Sequence, residues 1–451
     1  MRATPFIIAS LDPAFRPAAL VNRAHREMAT VPLVIALERE SGLVSRYETV
    51  VNPDEPEALQ YVERLVKIFV WARGGWKLYL GGPATLLKRV QVRPFDAELM
   101  SRVYERPFEI VVLEAAEVPA AREMNTALGG HLDGCRIGFD LGASDYKVAA
   151  VQEGTVVYSE ELPWNPRDQT DAQYHYDHIN RGLKKAAVHL PRVDAIGGST
   201  AGVVVGDKIM VASLFRAVPA AKFDEAKNIF ARLRDEWRVP FAVANDGDVT
   251  ALAGAMSLKV NGVLGIALGS SQAAGYLNSQ GCMTGWLSEL AFAPVDYNPA
   301  ALPDEWSGDR GVGALYFSQQ AVNKLLPAAG IAVSPEMDLP ERLKEVQALM
   351  TKGDPRAAKI YETLGVYLGY TIPHYADFYE FRHLLVLGRV TTGEGGNLLL
   401  KKAREVLHAT FPYIAARITL HVPDEKNRRG GQASAAASLP VIEEVSHEIA
   451  K

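Results

Sequence analysis

Ile137-Gly-Phe-Asp-Leu-Gly-Ala-Ser-Asp-Tyr-Lys147 is a short apolar run carrying one aspartate that passes into a turn of small residues and ends near a cation. Read as a strand, it places Asp140 at its inner end. Gly142 lets the backbone approach a ligand closely, and Ser144, among exposed N–H groups, is suited to phosphate oxygens. An aspartate beside phosphates commonly holds magnesium through water, which makes Asp140 the candidate ligand. Lys147 lies on the return strand Tyr146 to Val151, with Glu153-Gly154 at the hairpin tip. Alone, a strand-glycine-hairpin segment is commonplace; order and spacing along the chain give it weight.

Val239-Pro-Phe-Ala-Val-Ala-Asn-Asp-Gly-Asp248 is a second apolar strand ending in paired polar residues, followed by a small-residue helix pattern from Val249 to Met256. Val263 to Leu277 reads as two strands broken by a Gly/Ser turn. Leu384 to Gly396 is a buried strand entering a glycine-rich bend before a helix from Asn397 to His408.

In this order the segments resemble the sugar kinase, actin and heat-shock ATPase superfamily, and within it the ROK group of repressors and sugar kinases. The family's first phosphate loop, Asp-x-Gly-x-Thr-x-x-Lys, is matched by Asp140, Gly142, Ser144 in place of threonine, and Lys147. Its sugar-site Asn-Asp pair is matched by Asn245-Asp246. Its Gly-Glu-x-Gly-His segment stands here as Ser288-Glu289-Leu290-Ala291-Phe292, which keeps the carboxylate and loses the histidine. The resemblance runs from about Gly134 to the C-terminus.

It implies an α/β, two-lobed ribonuclease-H-like actin/sugar-kinase fold, with residues 134–258 as the first lobe and 259–451 as the second. The C-terminal helix is a candidate to return to the first lobe. It further implies ATP and Mg2+ as cofactors, and Asp246 as the general base that takes the proton of a sugar or polyol hydroxyl. Asn245 and Glu289 are then the groups that orient sugar hydroxyls, and Asp248 is a weaker alternative base with a bland role as a helix cap. Gly198, in Gly197-Gly-Ser-Thr-Ala-Gly202, occupies the place of the family's sugar-contacting Pro-Gly segment.

The family's zinc clip is missing. Ser307-Gly-Asp-Arg-Gly-Val312 keeps a Gly-x-Arg-Gly frame without the cysteines, and the histidine position is Phe292, so no zinc is expected. Cys135 and Cys282 are the only thiols, with no ligand spacing, and read as small apolar residues. On the ATP side, Gly269, Ser270 and Ser271 form the second phosphate turn with side chains where the family has bare glycine. Gly388, Gly395 and Gly396 form the adenosine bend, with Arg389 where the family prefers glycine. No Gly-x-x-x-x-Gly-Lys-Ser/Thr stretch is present, which excludes a P-loop enzyme.

Other residues are read more plainly. Trp164 could stack on a sugar ring but as an aromatic loop residue reads first as packing. His175 and His178 lack a third ligand and read as a helix-entry surface before Ile179 to Leu190.

The chain has 451 residues, 48% hydrophobic and 22% charged, with 48 Lys plus Arg against 53 Asp plus Glu. That is an ordinary globular composition of two or three domains, and its formal charge of -5 argues against a broad nucleic-acid surface. No apolar stretch approaches the roughly 18 to 20 residues that span a bilayer, and Phe6-Ile-Ile-Ala before Asp12 is too short for a secretory signal. A cytoplasmic protein without membrane or nucleic-acid partners is expected, and a homo-oligomer is the base-rate choice.

Residues 1–133 stand apart as an additional N-terminal α/β domain. Val31 to Val50 reads as two strands around Glu40-Ser-Gly42, Pro56 to Phe69 as a helix, Trp76 to Gly82 as a strand, and Pro83 to Val90 and Asp96 to Tyr104 as helices. The order echoes the start of the kinase-like part but lacks its aspartate and phosphate-loop residues. It also lacks the basic recognition helix that a DNA-reading unit requires. Two functional readings follow: an ATP-dependent kinase for a sugar or polyol, and a non-catalytic sugar or nucleotide sensor whose phosphate loops have decayed.

Overall fold

The computed structural model of the chain describes residues 6–124, 128–142, 145–206, 208–422 and 428–442, with the backbone alone for residues 145 and 428–430. The contacts divide the chain into two compact units. One comprises Met1–Met124, Gly262–Ser279 and Thr284–Val422; the other comprises Asn125–Asn261, Gln280–Met283 and Pro423–Lys451.

In the first unit, the N-terminal sheet holds β1 (Val31–Glu38), β2 (Val44–Val51), β3 (Lys77–Gly81) and β4 (Glu109–Leu113) in the order β2-β1-β3-β4. The β1–β2 reversal is set by Ser41 and Gly42, both at positive φ (56° and 69°). Helix Ala58–Arg73 is apolar over most of its circumference and is correspondingly buried, from Leu65 to Arg73 without interruption. Because β3 runs antiparallel to β1, this sheet does not repeat the strand directions of the phosphate-turn sheet described next.

In the second unit, β5 (Cys135–Leu141), β6 (Asp145–Gln152), β7 (Thr155–Pro163), β8 (Ala195–Thr200) and β11 (Phe241–Asn245) form a five-stranded sheet in the order β11-β8-β5-β6-β7. A small hairpin, β9 (Val203–Val205) and β10 (Lys208–Val211), precedes β11. The meander β5-β6-β7 is antiparallel, and β8 and β11 add in parallel. Glu153 and Gly154, at φ 47° and 74°, make the β6–β7 turn where the sequence placed it. Every residue of β5 is buried, as expected for a strand covered on both faces.

Helix Arg428–Ala437 covers one of those faces. A Cβ on Gly138 would lie 1.7 Å from the carbonyl oxygen of Ala433, and one on Gly197 1.7 Å from that of Ala436. The two glycines therefore let the helix backbone rest directly on the sheet.

The rest of the first unit carries β12 (Val263–Leu268), β13 (Gln272–Leu277), β14 (His383–Leu387) and β15 (Thr419–His421) in the order β13-β12-β14-β15. Helices Gln319–Ala329, Leu339–Thr351, Pro355–Ala376 and Glu394–Thr410 pack with it. The sequence reads residues 1–133 as a domain apart; the part of them in this unit, up to Met124, shares one continuous apolar core with these segments. Phe15 lies 4.7 Å, ring to ring, from Tyr367, and Asn22 Nδ2 lies 3.2 Å from His374 Nδ1, with both side chains fully buried. Among the described residues no helix is long and apolar enough to cross a membrane.

Candidate active site

Asp140 sits one residue from the end of β5, with Lys147 of β6 as its antiparallel partner and Ser199 of β8 as its parallel partner. Sheet register thus brings an acid beside the cation of its own hairpin and beside a hydroxyl 59 residues away in the chain. Ser199, fully buried, donates from Oγ to Asp140 Oδ1 at 2.8 Å. Ala244 of β11 pairs with Ser199 on the other side, so the row continues towards Asn245 and Asp246.

Asn245 caps helix Asp246–Leu258. Its Oδ1 accepts from the Gly247 N–H at 2.8 Å, while its Nδ2 donates to the Gly202 carbonyl at 2.7 Å. The cap fixes Asp246 at the first helical position, half-buried beside the strand ends. Burial, and next the charge of Asp140, push the Asp246 carboxyl up to about 6, while hydrogen bonds from backbone N–H groups pull the other way. Asp248 follows in the same first turn.

Gln432, on the C-terminal helix, donates from Nε2 to Ser199 Oγ at 3.1 Å and to the Asp246 carbonyl at 3.3 Å. Neither Ser199 nor Gln432 was singled out from the sequence. The available hints were weak: the run Ala195-Ile-Gly-Gly-Ser-Thr200 reads as strand as well as turn, and Gly430-Gly-Gln-Ala-Ser434 has the small residues of a helix that must approach a sheet closely.

The other candidates in this unit are placed as follows. Gly142 offers its carbonyl to Trp164 Nε1 at 3.0 Å, and Trp164 is buried against Tyr146 and His175, a wall under the turn. Ser144 lies outside the described residues. A Cβ on Gly198 would meet the Phe139 ring at 2.1 Å, so its bareness admits that ring to the core. His175 is fully buried, with Nε2 3.0 Å from the Pro166 carbonyl, and burial lowers its pKa.

The remaining candidates belong to the first unit. Gly269, Ser270 and Ser271 make the tight β12–β13 turn, closed by Gly269 N–H to the Ser271 carbonyl at 3.0 Å, and the Gly269 carbonyl accepts from Gln319 N–H at 2.9 Å. Gly388 turns the chain out of β14 at φ 103°, where a Cβ would meet the Leu268 carbonyl oxygen at 2.4 Å. Gly395 lies against the Tyr361 ring, and Gly396 against the Thr391 backbone. Glu289 donates its N–H to the Trp71 carbonyl at 3.0 Å. Phe292, at the family's histidine position, packs 4.4 Å from Trp71 and 5.5 Å from Phe95, ring to ring.

Among the described residues no cluster of three or more His, Cys, Asp or Glu side chains could hold a metal ion. Mg2+ needs no such cluster, since it keeps several waters and binds through one or two carboxylates. Asp140 fits that demand: it is 6% exposed, fixed by Ser199, and its negative charge already disfavours a second charge on Asp246.

No protein-family profile matches the sequence, and no curated protein matches it. Solved structures do. A ROK family transcriptional regulator, described as a homologue of the E. coli MLC protein, is similar at TM-score 0.56 and 18% identity over 68% of this chain and 78% of its own. A ROK hexokinase from Thermus thermophilus is similar at TM-score 0.53 and 16% identity over 68% of this chain and 97% of its own. A ROK family protein from Streptococcus pneumoniae, solved with sucrose, is similar at TM-score 0.50 and 10% identity over 66% and 96%. The chain has the ROK sugar-kinase-like fold.

Proposed function

We propose that the protein transfers the γ-phosphoryl group of ATP to a hydroxyl of a sugar or polyol, with Asp246 as general base. The observation that carries this reading is a strand-end carboxyl pushed up to about 6 beside a second carboxylate. A base near that value is half ionised one unit below neutrality and still basic enough to take a hydroxyl proton as the oxygen becomes bonded to phosphorus.

In the step, the acceptor oxygen attacks the γ-phosphorus and its proton passes to an Asp246 carboxylate oxygen. The bond from the γ-phosphorus to its bridging oxygen breaks, and ADP leaves with that electron pair. Asp140 is the residue that would hold Mg2+ through water, and the ion so held would neutralise phosphate charge. Ser199 keeps the Asp140 carboxylate in one orientation, Gln432 keeps Ser199 in place, and Asn245 fixes the helix end that carries Asp246. Lys147, the register partner of Asp140 across the hairpin, is the cation assigned to a phosphate oxygen in this reading.

A second reading, a sugar or nucleotide sensor without turnover, draws on Phe292 in its aromatic cluster and on side chains in the Gly269–Ser271 turn. Similarity in fold to a transcriptional regulator as well as to a hexokinase is compatible with it. A phosphorylation screen of sugars and polyols with ATP and Mg2+, run beside Asp246→Asn, separates the two. Turnover that the variant loses supports the kinase; binding without turnover in the unaltered protein supports the sensor. Turnover unchanged in the variant removes Asp246 from the role.

A further inference from the structure

Within the first unit, helices Ala58–Arg73 and Pro94–Tyr104 and the loop reaching Asp309 enclose a cavity of about 260 Å³. Its wall is ionic. Lys67 Nζ lies 2.8 and 2.9 Å from the two Asp96 carboxylate oxygens and 3.2 Å from Asp309 Oδ2. Arg64 Nη1 lies 2.9 Å from Asp309 Oδ2, and Arg93 Nη1 3.5 Å from Asp309 Oδ1. The Lys67, Asp96 and Asp309 side chains are 5%, 2% and 2% exposed. Ions so deep cost several kcal/mol each to desolvate, and an apolar trio of the same volume generally serves stability as well or better. A buried ionic wall around open space therefore points to a ligand.

The chemistry of the lining limits what that ligand is. Three cations (Arg64, Lys67, Arg93) face three acids (Glu63, Asp96, Asp309), so the formal charges cancel. An anion would meet Asp309, already bracketed by the arginines, and a cation would meet Lys67. Gln60 and Gln91 add side chains that both donate and accept, as hydroxyl groups do. Val66, Val70 and Val92 supply apolar surface for a C–H face. The volume equals that of about nine waters at roughly 30 Å³ each, room for one six-membered ring with its hydroxyls.

We propose that this cavity binds a neutral polyhydroxylated molecule of monosaccharide size, at a site built by the N-terminal helices and separate from Asp246. It does not rest on the phosphoryl-transfer reading, since none of its residues belongs to the unit that holds Asp140 and Asp246.

Calorimetric titration of the full chain with glucose, mannose, galactose, myo-inositol and glucose 6-phosphate tests it, in the unaltered protein and in Arg93→Ala, Gln60→Trp and Asp246→Asn. Arg93 is 48% exposed, so its removal is expected to leave the fold intact, and Gln60→Trp, at a lining position, takes up cavity space by an independent route. The expected result is binding of at least one neutral compound, kept in Asp246→Asn and weakened about tenfold or more by both rim variants, about 1.4 kcal/mol. Three results overturn the proposal: no neutral compound binding at tens of millimolar, binding that neither rim variant changes, or glucose 6-phosphate preferred over glucose through Arg93. Binding lost in Asp246→Asn but not in the rim variants overturns it too, and leaves the kinase reading standing.

Discussion

Ser199 Oγ donates to Asp140 Oδ1 at 2.8 Å across neighbouring parallel strands, and both side chains are buried. The bond gives the carboxylate a partner that burial demands. Ser199→Ala removes that donor and also the acceptor of Gln432. We expect a loss of about 1–3 kcal/mol in stability, read from a denaturant midpoint, and a larger effect on any Mg2+ dependence of turnover than Gln432→Ala produces.

Asp246 gives the pH dependence of turnover a sign. Its carboxyl is raised, so the base form is lost below about 6; kcat should rise with pH through that value and then level off. Asp140→Asn removes a raising charge and should move the inflection to lower pH. Asp246→Asn should lower kcat by about 10²–10⁴-fold.

The same shift predicts a gain in stability on losing the charge. An acid whose folded value exceeds its unfolded value favours folding while protonated, and that stability disappears as pH rises from about 4 to about 6. Asp246→Asn should therefore stabilise the protein at pH 7 by on the order of 1–3 kcal/mol, seen as a raised Tm, with no such gain at pH 4.

His374 acts in the opposite direction at acid pH. It is fully buried between Asn22 and the Pro294 carbonyl, and burial pushes it down to about 3. The unfolded chain takes up this proton near pH 6.5 and the folded chain does not, so stability falls as pH drops from about 6.5 towards 3. His374→Gln should flatten that part of the urea-midpoint profile.

Gly138 and Gly197 are required by contact with a helix backbone. Gly138→Ala or Gly197→Ala should detach or displace helix Arg428–Ala437, costing about 3 kcal/mol or more. Hydrogen exchange at Ala433 to Ala437 should rise well before exchange in β5 does.

The parts of the fold legible in the sequence are those whose causes are local. The hairpin tips at Ser41-Gly42 and Glu153-Gly154 need backbone torsions that few residues adopt, and the strands at 137–141, 263–268 and 384–387 are apolar runs interrupted only by Asp140. Helix Ala18–Glu27 and strand β4 are not legible in the sequence because neither has a strong start signal: Pro17 makes no side-chain cap, and β4 is a five-residue edge strand with no buried position.

By itself the sequence determined the order of the strand-to-turn junctions, the Asp140 and Asn245-Asp246 positions at strand ends, and the loss of the zinc-clip cysteines, since each depends on residue type within a few positions. Only the tertiary structure decided that Ser199, 59 residues from Asp140, orients it, and that Gln432, 233 residues from Ser199, holds that serine. It likewise decided that residues 1–124 share a core with the second half of the chain and that Lys67, Asp96 and Asp309 meet. Those contacts are chosen by which surfaces bury each other best, and no short-range pattern carries that information.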